Sequence, residues 1–481
     1  MNTSATTMDG LDLQRPLKLH FIPYLAAGHM IPLCDIATLF ASRGQHVTII
    51  TTPQNAQILL HKSGDPFLHF HTVDFPSQEV GLPDGVESMS SVNDLTNSAK
   101  VYKAARLLRG PIEHFVENNP PDCIVADFMI PWVADLANRL RIPRLAFNPF
   151  TLFGLCAFES VKAHPILHSG GSFVIPDFPH HITMCATPPK AMTGFMEPLL
   201  GIEVKSNGLI VNNFAELDGE EYIQHYERIT GHKAWHIGPA SLMRRSNQES
   251  EHECLSWLNS KPPNSVVYIC FGSMCRLPDN QLYEMACGIE QAGHRFIWVV
   301  PEKKGKEEDE DQSDEEKDKW LPKGFEERNR NKGMIIRGWA PQVLILGQPA
   351  VGAFLTHCGS NSVVEAVSSG VPMITWPVMG EQFYNEKLIT QVRGIGVEVG
   401  VEEWGVAGFG DREKVVEKDR IEKAVRRLMD GGDEAREIRR RAQEFGKKAR
   451  QAVKEGGSSH HNLTALIDEL KRLRDCASLN Y

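Results

Sequence analysis

The sequence predicts an α/β chain of two doubly wound domains facing each other across a cleft, and three observations carry that expectation. Its 481 residues exceed the size at which one hydrophobic core stops growing, so two domains are expected. Short, β-branched apolar runs alternate with helical patterns from Leu17 onward. Runs this apolar suit strands covered on both faces, hence parallel sheets with crossover helices. The alternation breaks at a polar stretch, 244–253, followed by Lys261-Pro262-Pro263-Asn264, and then begins again.

In chain order, residues 1–16 are polar and expected to form a flexible N-terminus. The first domain, 17–240, has strands expected at 19–25, 47–51, 123–126, 145–147 and 208–212. A linker is placed at 241–263. The second domain, 264–450, has strands expected at 266–271, 296–300, 334–336, 351–355 and 373–376. Residues 411–474 are rich in Glu, Lys and Arg, with Val416, Ile421, Val425 and Leu428 at helical spacing, the pattern of surface helices. The final helix, within 451–481, is expected to pack back toward the first domain. Two Rossmann-like sheets of this kind bind ligands at the carboxyl ends of their strands.

At 42% hydrophobic and 23% charged, the composition is that of a globular protein and excludes collagen-like, coiled-coil and disordered classes. The formal net charge is −10, and 302–319 supplies half of it, with ten acids against five lysines; this run is expected to be a solvated loop. The remainder is near neutral, so neither a nucleic-acid partner nor a polybasic membrane contact is expected. No apolar stretch approaches a membrane span, and no signal-peptide pattern opens the chain. The ten cysteines are scattered without CxxC spacing, which suits buried thiols and a cytoplasmic location.

The chemistry concentrates in 339–382. A strand runs into His357-Cys358-Gly359-Ser360-Asn361-Ser362-Val363-Val364-Glu365, a Gly-rich turn feeding a helix. Such a helix start offers unpaired N–H groups, with the Ser362 hydroxyl, the Asn361 amide and the His357 imidazole beside them, to an anion such as a diphosphate. Glu365, one turn in, can accept hydrogen bonds from a ribose, and Trp339 can stack on a base. Each alone would be unremarkable, a core Trp or a solvated Glu; their joint spacing around one phosphate site points to a nucleotide. In the first domain, Pro23-Tyr24-Leu25-Ala26-Ala27-Gly28-His29-Met30-Ile31-Pro32 puts His29 after a strand, and Asp127 ends another. A carboxylate there can hold an imidazole Nδ1–H and stabilise the imidazolium formed when Nε2 takes a proton.

The 44-residue segment from Trp339 to Gln382 resembles the signature box of plant family 1 UDP-sugar-dependent glycosyltransferases, and Gly28-His29-Pro32 and Glu402-Glu403-Trp404-Gly405 extend the resemblance along nearly the whole chain. It implies a GT-B type fold and an inverting, metal-independent transfer of a hexose, glucose first, to a hydroxyl or carboxyl of a small apolar plant metabolite. The branch implied takes triterpenoids, saponins or flavonoids, and a monomer is expected. His29 is then the general base and Asp127 its partner. Trp339, Ala340, Gln342 and Glu365 hold the uridine, and Ser273, His357, Asn361 and Ser362 the phosphates. Thr151, Ser360, Glu381 and Gln382 lie at the sugar. Gln382 favours UDP-glucose. Ser360 stands where the family usually has Trp, which leaves UDP-xylose, UDP-galactose or another donor open.

The acceptor pocket is expected from 21–25, 83–89, 147–158 and 179–205. Asp309-Glu310-Asp311 matches a metal-binding DxD formally, but lies inside the acidic run with no strand to aim it. Gly-x-Gly-x-x-Gly after the first strand, Gly-Lys-Ser/Thr and Gly-x-Ser-x-Gly are absent, which argues against NAD enzymes, P-loop NTPases and serine hydrolases. The remaining alternative is a nucleotide-sugar-binding protein with a dead site.

Overall fold

The computed structural model describes residues 15–63, 67–92, 94–164, 171–185, 188–243, 252–301, 320–405 and 414–478. The first lobe supplies β1 (Lys18–Ile22), β2 (His46–Thr51), β3 (Leu68–Thr72), β4 (Cys123–Asp127) and β5 (Arg144–Asn148). A short antiparallel hairpin follows, β6 (Phe173–Val174) and β7 (Thr183–Met184), then β8 (Leu209–Val211) and β9 (Ala234–His236). Seven of these form a sheet in the order β3-β2-β1-β4-β5-β8-β9, every pair parallel. The second lobe supplies β10 (Val266–Cys270), β11 (Arg295–Val300), β12 (Gly333–Arg337), β13 (Val351–Thr356), β14 (Met373–Thr375) and β15 (Gly396–Glu398). Their order is β12-β11-β10-β13-β14-β15, again all parallel.

Each order reverses once, between β1 and β4 and between β10 and β13. At such a switch point the crossover helices leave on opposite faces and open a crevice beyond the strand ends. β4, β5, β10 and β13 are buried along their whole length, as helices on both faces require.

Three differences from the expected strands have local causes. The run 19–25 leaves the sheet at Ile22 because Pro23 has no N–H for a ladder bond. β3, with sequence LHFHT, is an edge strand carrying two histidines, and β9 and β15 are three residues each, too short for a period to register. Within the expected linker, Glu253–Asn259 is a helix whose Cys254, Leu255 and Leu258 are buried in the second lobe's core with Val266 and Tyr268. The acidic run 302–319 lies outside the described residues.

The lobes touch through the helices Leu152–Lys162 and Gln382–Lys387, where the rings of Phe158 and Tyr384 meet edge to face at 5.0 Å. Arg393 of the second lobe donates from Nε to the Leu217 carbonyl of the first at 2.8 Å. The helix Ser458–Ser478 buries Leu463, Leu466, Ile467 and Leu470 in the first lobe's core with Leu19, Phe21 and Val47.

Candidate functional site

β1 and β4 are neighbours in register, Ile22 beside Ala126, so the chain leaving β1 passes the carboxylate at the tip of β4. His29 falls in the first turn of the helix Ala27–Ser42 and places Nδ1 2.8 Å from Asp127 Oδ2. The other carboxylate oxygen accepts the Met129 N–H at 2.9 Å. The Asp127 side chain is 0% exposed and that of His29 17%, so the carboxylate is fixed while the imidazole still meets solvent. With Nδ1 committed to Asp127, Nε2 is the nitrogen left to accept a proton. Tyr24 packs edge-on against the imidazole at 5.4 Å and Phe128 stacks on it at 6.0 Å.

Across the cleft, β10 and β13 are likewise neighbours, Cys270 beside Thr356. Each runs into a turn, Phe271-Gly272-Ser273 and His357-Cys358-Gly359, and the His357 ring is clamped between them. A Cβ on Gly272, which adopts φ +71°, would lie 2.8 Å from the imidazole, and one on Gly359 would lie 2.4 Å from it, so neither position tolerates a side chain while the ring stays. Burial pushes His357 down to about 4, which keeps its ring neutral at neutral pH. Cys358 adopts φ +65° and is held by Asn385, whose Nδ2 donates to its carbonyl at 2.8 Å. The helix Ser360–Ser369 then begins without a side-chain cap on its preceding residue; the Ser360 N–H donates to Glu381 Oε1 at 3.4 Å, and the N–H groups that follow it are the ones a helix start offers to an anion.

The expected uridine residues gather beside that helix. Gln342 Nε2 donates to Ser362 Oγ at 3.1 Å and to Glu365 Oε2 at 2.8 Å, while its Oε1 accepts from Tyr268 at 3.3 Å. Trp339 is 59% exposed, a large ring held at the surface, and Ala340 is buried behind it.

The two crevices meet directly. Pro32 lies inside the helix Ala27–Ser42 and has no N–H, so the Gly28 carbonyl loses its intrahelical donor. Asn361 of the opposite lobe fills the vacancy, donating from Nδ2 at 2.6 Å. The Asn361 amide is thus engaged with the helix turn that carries His29. Ser273 approaches from the other side, its hydroxyl 3.5 Å from that of Ser90, which in turn accepts the Ala27 N–H at 3.0 Å.

Of the expected sugar contacts, Thr151 has its hydroxyl engaged within the protein, and Gln382 its Oε1. Thr151 is 1% exposed, its hydroxyl accepting the Gly154 N–H at 3.0 Å as a helix cap and donating to Asn385 Oδ1 at 2.7 Å. Gln382 Oε1 accepts the N–H groups of Val378 and Met379 at 2.8 and 2.9 Å, shaping the preceding loop. Ser360 is the hub of the remainder. Its hydroxyl accepts the Thr151 N–H at 3.1 Å and an Asn385 amide proton at 3.1 Å, and donates to Glu381 Oε1 at 3.2 Å.

Burial raises the Glu381 carboxyl to about 7, against hydrogen bonds from its own N–H and from Ser360 and the nearby charge of His29, all of which favour ionisation. A carboxyl raised in the folded state contributes fully below its unfolded value of 4.5, and that contribution is lost as pH rises through about 7. Glu381→Gln removes this ionisation, so the Tm of the variant relative to the parent should climb between pH 4.5 and 7. A pH series of thermal melts with a constant difference would refute the assignment.

The sequence reading passed over Asn385, which joins Thr151, Cys358 and Ser360. It lies four residues after Glu381, a helical spacing that marks it in retrospect. It also missed Ser90, which no motif announces. Beyond Tyr24 and Met129, which adjoin the dyad, a cavity of ≈340 Å³ opens in the first lobe, lined by 22–25 and by residues of 102–112 and 129–132. The expected acceptor residues differ from this in part: Phe147 and Leu152 to Phe158 are core, buried by the helix Leu152–Lys162 against its neighbours, and 83–89 and 179–205 do not line it.

A family model described as UDP-glucoronosyl and UDP-glucosyl transferase matches residues 224–428. A UDP-glucosyl transferase 73CC6 of Saponaria officinalis is 48% identical, over 96% of this chain and 98% of its own. A UDP-glucose flavonoid 3-O-glucosyltransferase 7 of Fragaria ananassa is 45% identical, over 95% of this chain and 96% of its own. The crystal structure of Glycyrrhiza uralensis UGT73P12, complexed with glycyrrhetinic acid 3-O-monoglucuronide, superposes with a TM-score of 0.86 at 36% identity, covering 97% of this chain and 98% of that one.

Proposed function

The chain belongs to the UDP-glucoronosyl and UDP-glucosyl transferase family and is a UDP-glycosyltransferase, and from that premise we propose that it transfers glucose from UDP-glucose, with inversion and without a metal, to a hydroxyl or carboxyl of a small apolar plant metabolite. The observation that carries this proposal is the His29–Asp127 pair at 2.8 Å, with His29 next in sequence to Gly28, whose carbonyl the donor-side helix touches through Asn361.

In this mechanism the acceptor hydroxyl gives its proton to His29 Nε2 while its oxygen attacks the anomeric carbon. The bond from that carbon to the diphosphate breaks on the opposite face, so an α-linked donor yields a β-glycoside. Asp127 holds the ring orientation and balances the imidazolium. The charge growing on the leaving diphosphate falls on the N–H groups opening Ser360–Ser369, with Ser362 and the Ser273 turn beside them. Trp339 stacks on uracil, and the linked Gln342 and Glu365 take the ribose. The sugar lies against Glu381 and Ser360, with Gln382 shaping its loop.

The acceptor class, triterpenoid or flavonoid, draws support from the flavonoid 3-O-glucosyltransferase of strawberry and from the glycyrrhetinic acid derivative in the liquorice structure. Ser360, hydrogen-bonded to both lobes, favours one second reading, a donor such as UDP-xylose or UDP-galactose. We further propose a monomer, since one chain supplies base and donor site together. The cytosol is its proposed compartment, supported by ten scattered cysteines, most of them buried. No helix among the described residues is long and apolar enough to cross a membrane.

A donor-by-acceptor activity matrix, with linkages assigned by NMR, tests the whole. UDP-glucose should give the highest kcat/KM, the products should be β-linked, and EDTA should leave the rate unchanged. An α-linked product, or a strict need for manganese, would overturn the mechanism.

A further inference from the structure

The first turn of the helix Ala27–Ser42, which carries His29, draws its hydrogen bonds from both lobes. Its N–H groups are satisfied within the first. Ser90 Oγ accepts the Ala27 N–H at 3.0 Å, and the Ala26 carbonyl accepts those of His29 and Met30 at 2.9 and 2.8 Å. The Gly28 carbonyl is different. Pro32, four residues on, has no N–H to offer, and a proline ring crowds the carbonyl one turn back. The donor comes instead from across the cleft, Asn361 Nδ2 at 2.6 Å. Asn361 is the second residue of Ser360–Ser369, the helix whose start receives the diphosphate in the mechanism above. An amide nitrogen carries two protons and Gly28 takes one, so the other remains for a phosphate oxygen.

We propose that Asn361 is a positioning residue for the general base. From the donor lobe it pins the Gly28 carbonyl, and with it the aim of the neighbouring His29 imidazole, so that occupancy of the diphosphate site and readiness of the base are linked through one amide. The proposal rests on the transferase function above and adds a coupling between the lobes. That coupling exists because of Pro32: an N–H at that position would satisfy the carbonyl inside the helix and release the His29 turn from its dependence on the opposite lobe.

The test is a double-mutant cycle of Asn361→Ala and Pro32→Ala, the second of which restores the missing donor with a residue that favours helix. Turnover is measured with UDP-glucose and whichever of quercetin and glycyrrhetinic acid the parent glycosylates faster, and UDP affinity by calorimetry. With Pro32 in place, Asn361→Ala should lower kcat by about 10- to 100-fold, the worth of a reacting group misplaced by about 1 Å. In the Pro32→Ala background the same change should cost no more than about threefold, the mark of a shared interaction. The Kd for UDP should rise by the same factor in both backgrounds, since a phosphate contact does not pass through Gly28. An equal loss of kcat in both backgrounds, or an unchanged kcat in Asn361→Ala, would overturn the proposal while leaving the transferase standing. A parent that releases no UDP with either acceptor would tell against the donor and acceptor proposed above instead. The same cycle is therefore also read without an acceptor, by NMR of nitrogen-labelled histidine in the UDP complex, with the His29 signals identified by their loss in His29→Ala. Those signals should shift on Asn361→Ala when Pro32 is present and hold still when it is replaced; no shift in either background would overturn the coupling.

Discussion

Replacing His29 by alanine should lower turnover by about 10²- to 10⁴-fold, the usual worth of a positioned general base, while UDP affinity measured by calorimetry stays within about twofold. The separation of effects follows from geometry. His29 bonds to Asp127 and packs on Tyr24 and Phe128, all in the first lobe, so its loss leaves the turns around His357 untouched. Alanine is also a good helix former in the first turn of Ala27–Ser42. Turnover preserved to within about threefold would remove the imidazole from the chemistry.

The complementary substitution, Gly359→Ala, should do the reverse. The new methyl would lie 2.4 Å from His357 Nε2 and 3.0 Å from Cε1, and Gly272 closes the other side of the ring, so the imidazole has nowhere to retreat. The turn must move, and with it the start of Ser360–Ser369. Overpacking of this kind is worth about 1–3 kcal/mol, so the Kd for UDP should rise by about 10- to 100-fold. The His29–Asp127 bond is made entirely within the first lobe, so saturating donor should recover much of kcat. An unchanged Kd would mean that UDP does not rest on this turn.

Much of this arrangement was legible because four strands announce themselves as apolar runs, two of them running into the Gly-containing turns Phe271-Gly272-Ser273 and His357-Cys358-Gly359. His29, Asp127, Ser273 and His357 all lie at or just beyond the carboxyl ends of strands that flank a reversal of sheet order. What the sequence could not display was that order. His29 and Asp127 are 98 positions apart, and only the pairing of β1 with β4 brings them together. Asn361 looked like a phosphate ligand because helix starts attract anions; its bond to Gly28 depends on how the lobes dock, which leaves no trace in local spacing. The Thr151 hydroxyl serves as a helix cap and Gln382 Oε1 as a loop brace, uses that local spacing does not display. The cavity wall at 102–112 belongs to helix packing, where the side of a helix facing the sheet is visible but the empty space beside it is not.

The helix Ser458–Ser478 has a consequence for how the chain is made. Asn462 bonds the carbonyl of His236, 226 positions earlier, and Leu466 and Leu470 close the core around β1 and β2. The part of the molecule that leaves the ribosome first is therefore finished by a part that leaves late, and in between its apolar flank waits uncovered. Nascent chains stalled before this helix should be strong clients of chaperones, and a tag placed near it risks the lobe that holds the base, although nothing in the tag comes near the cleft.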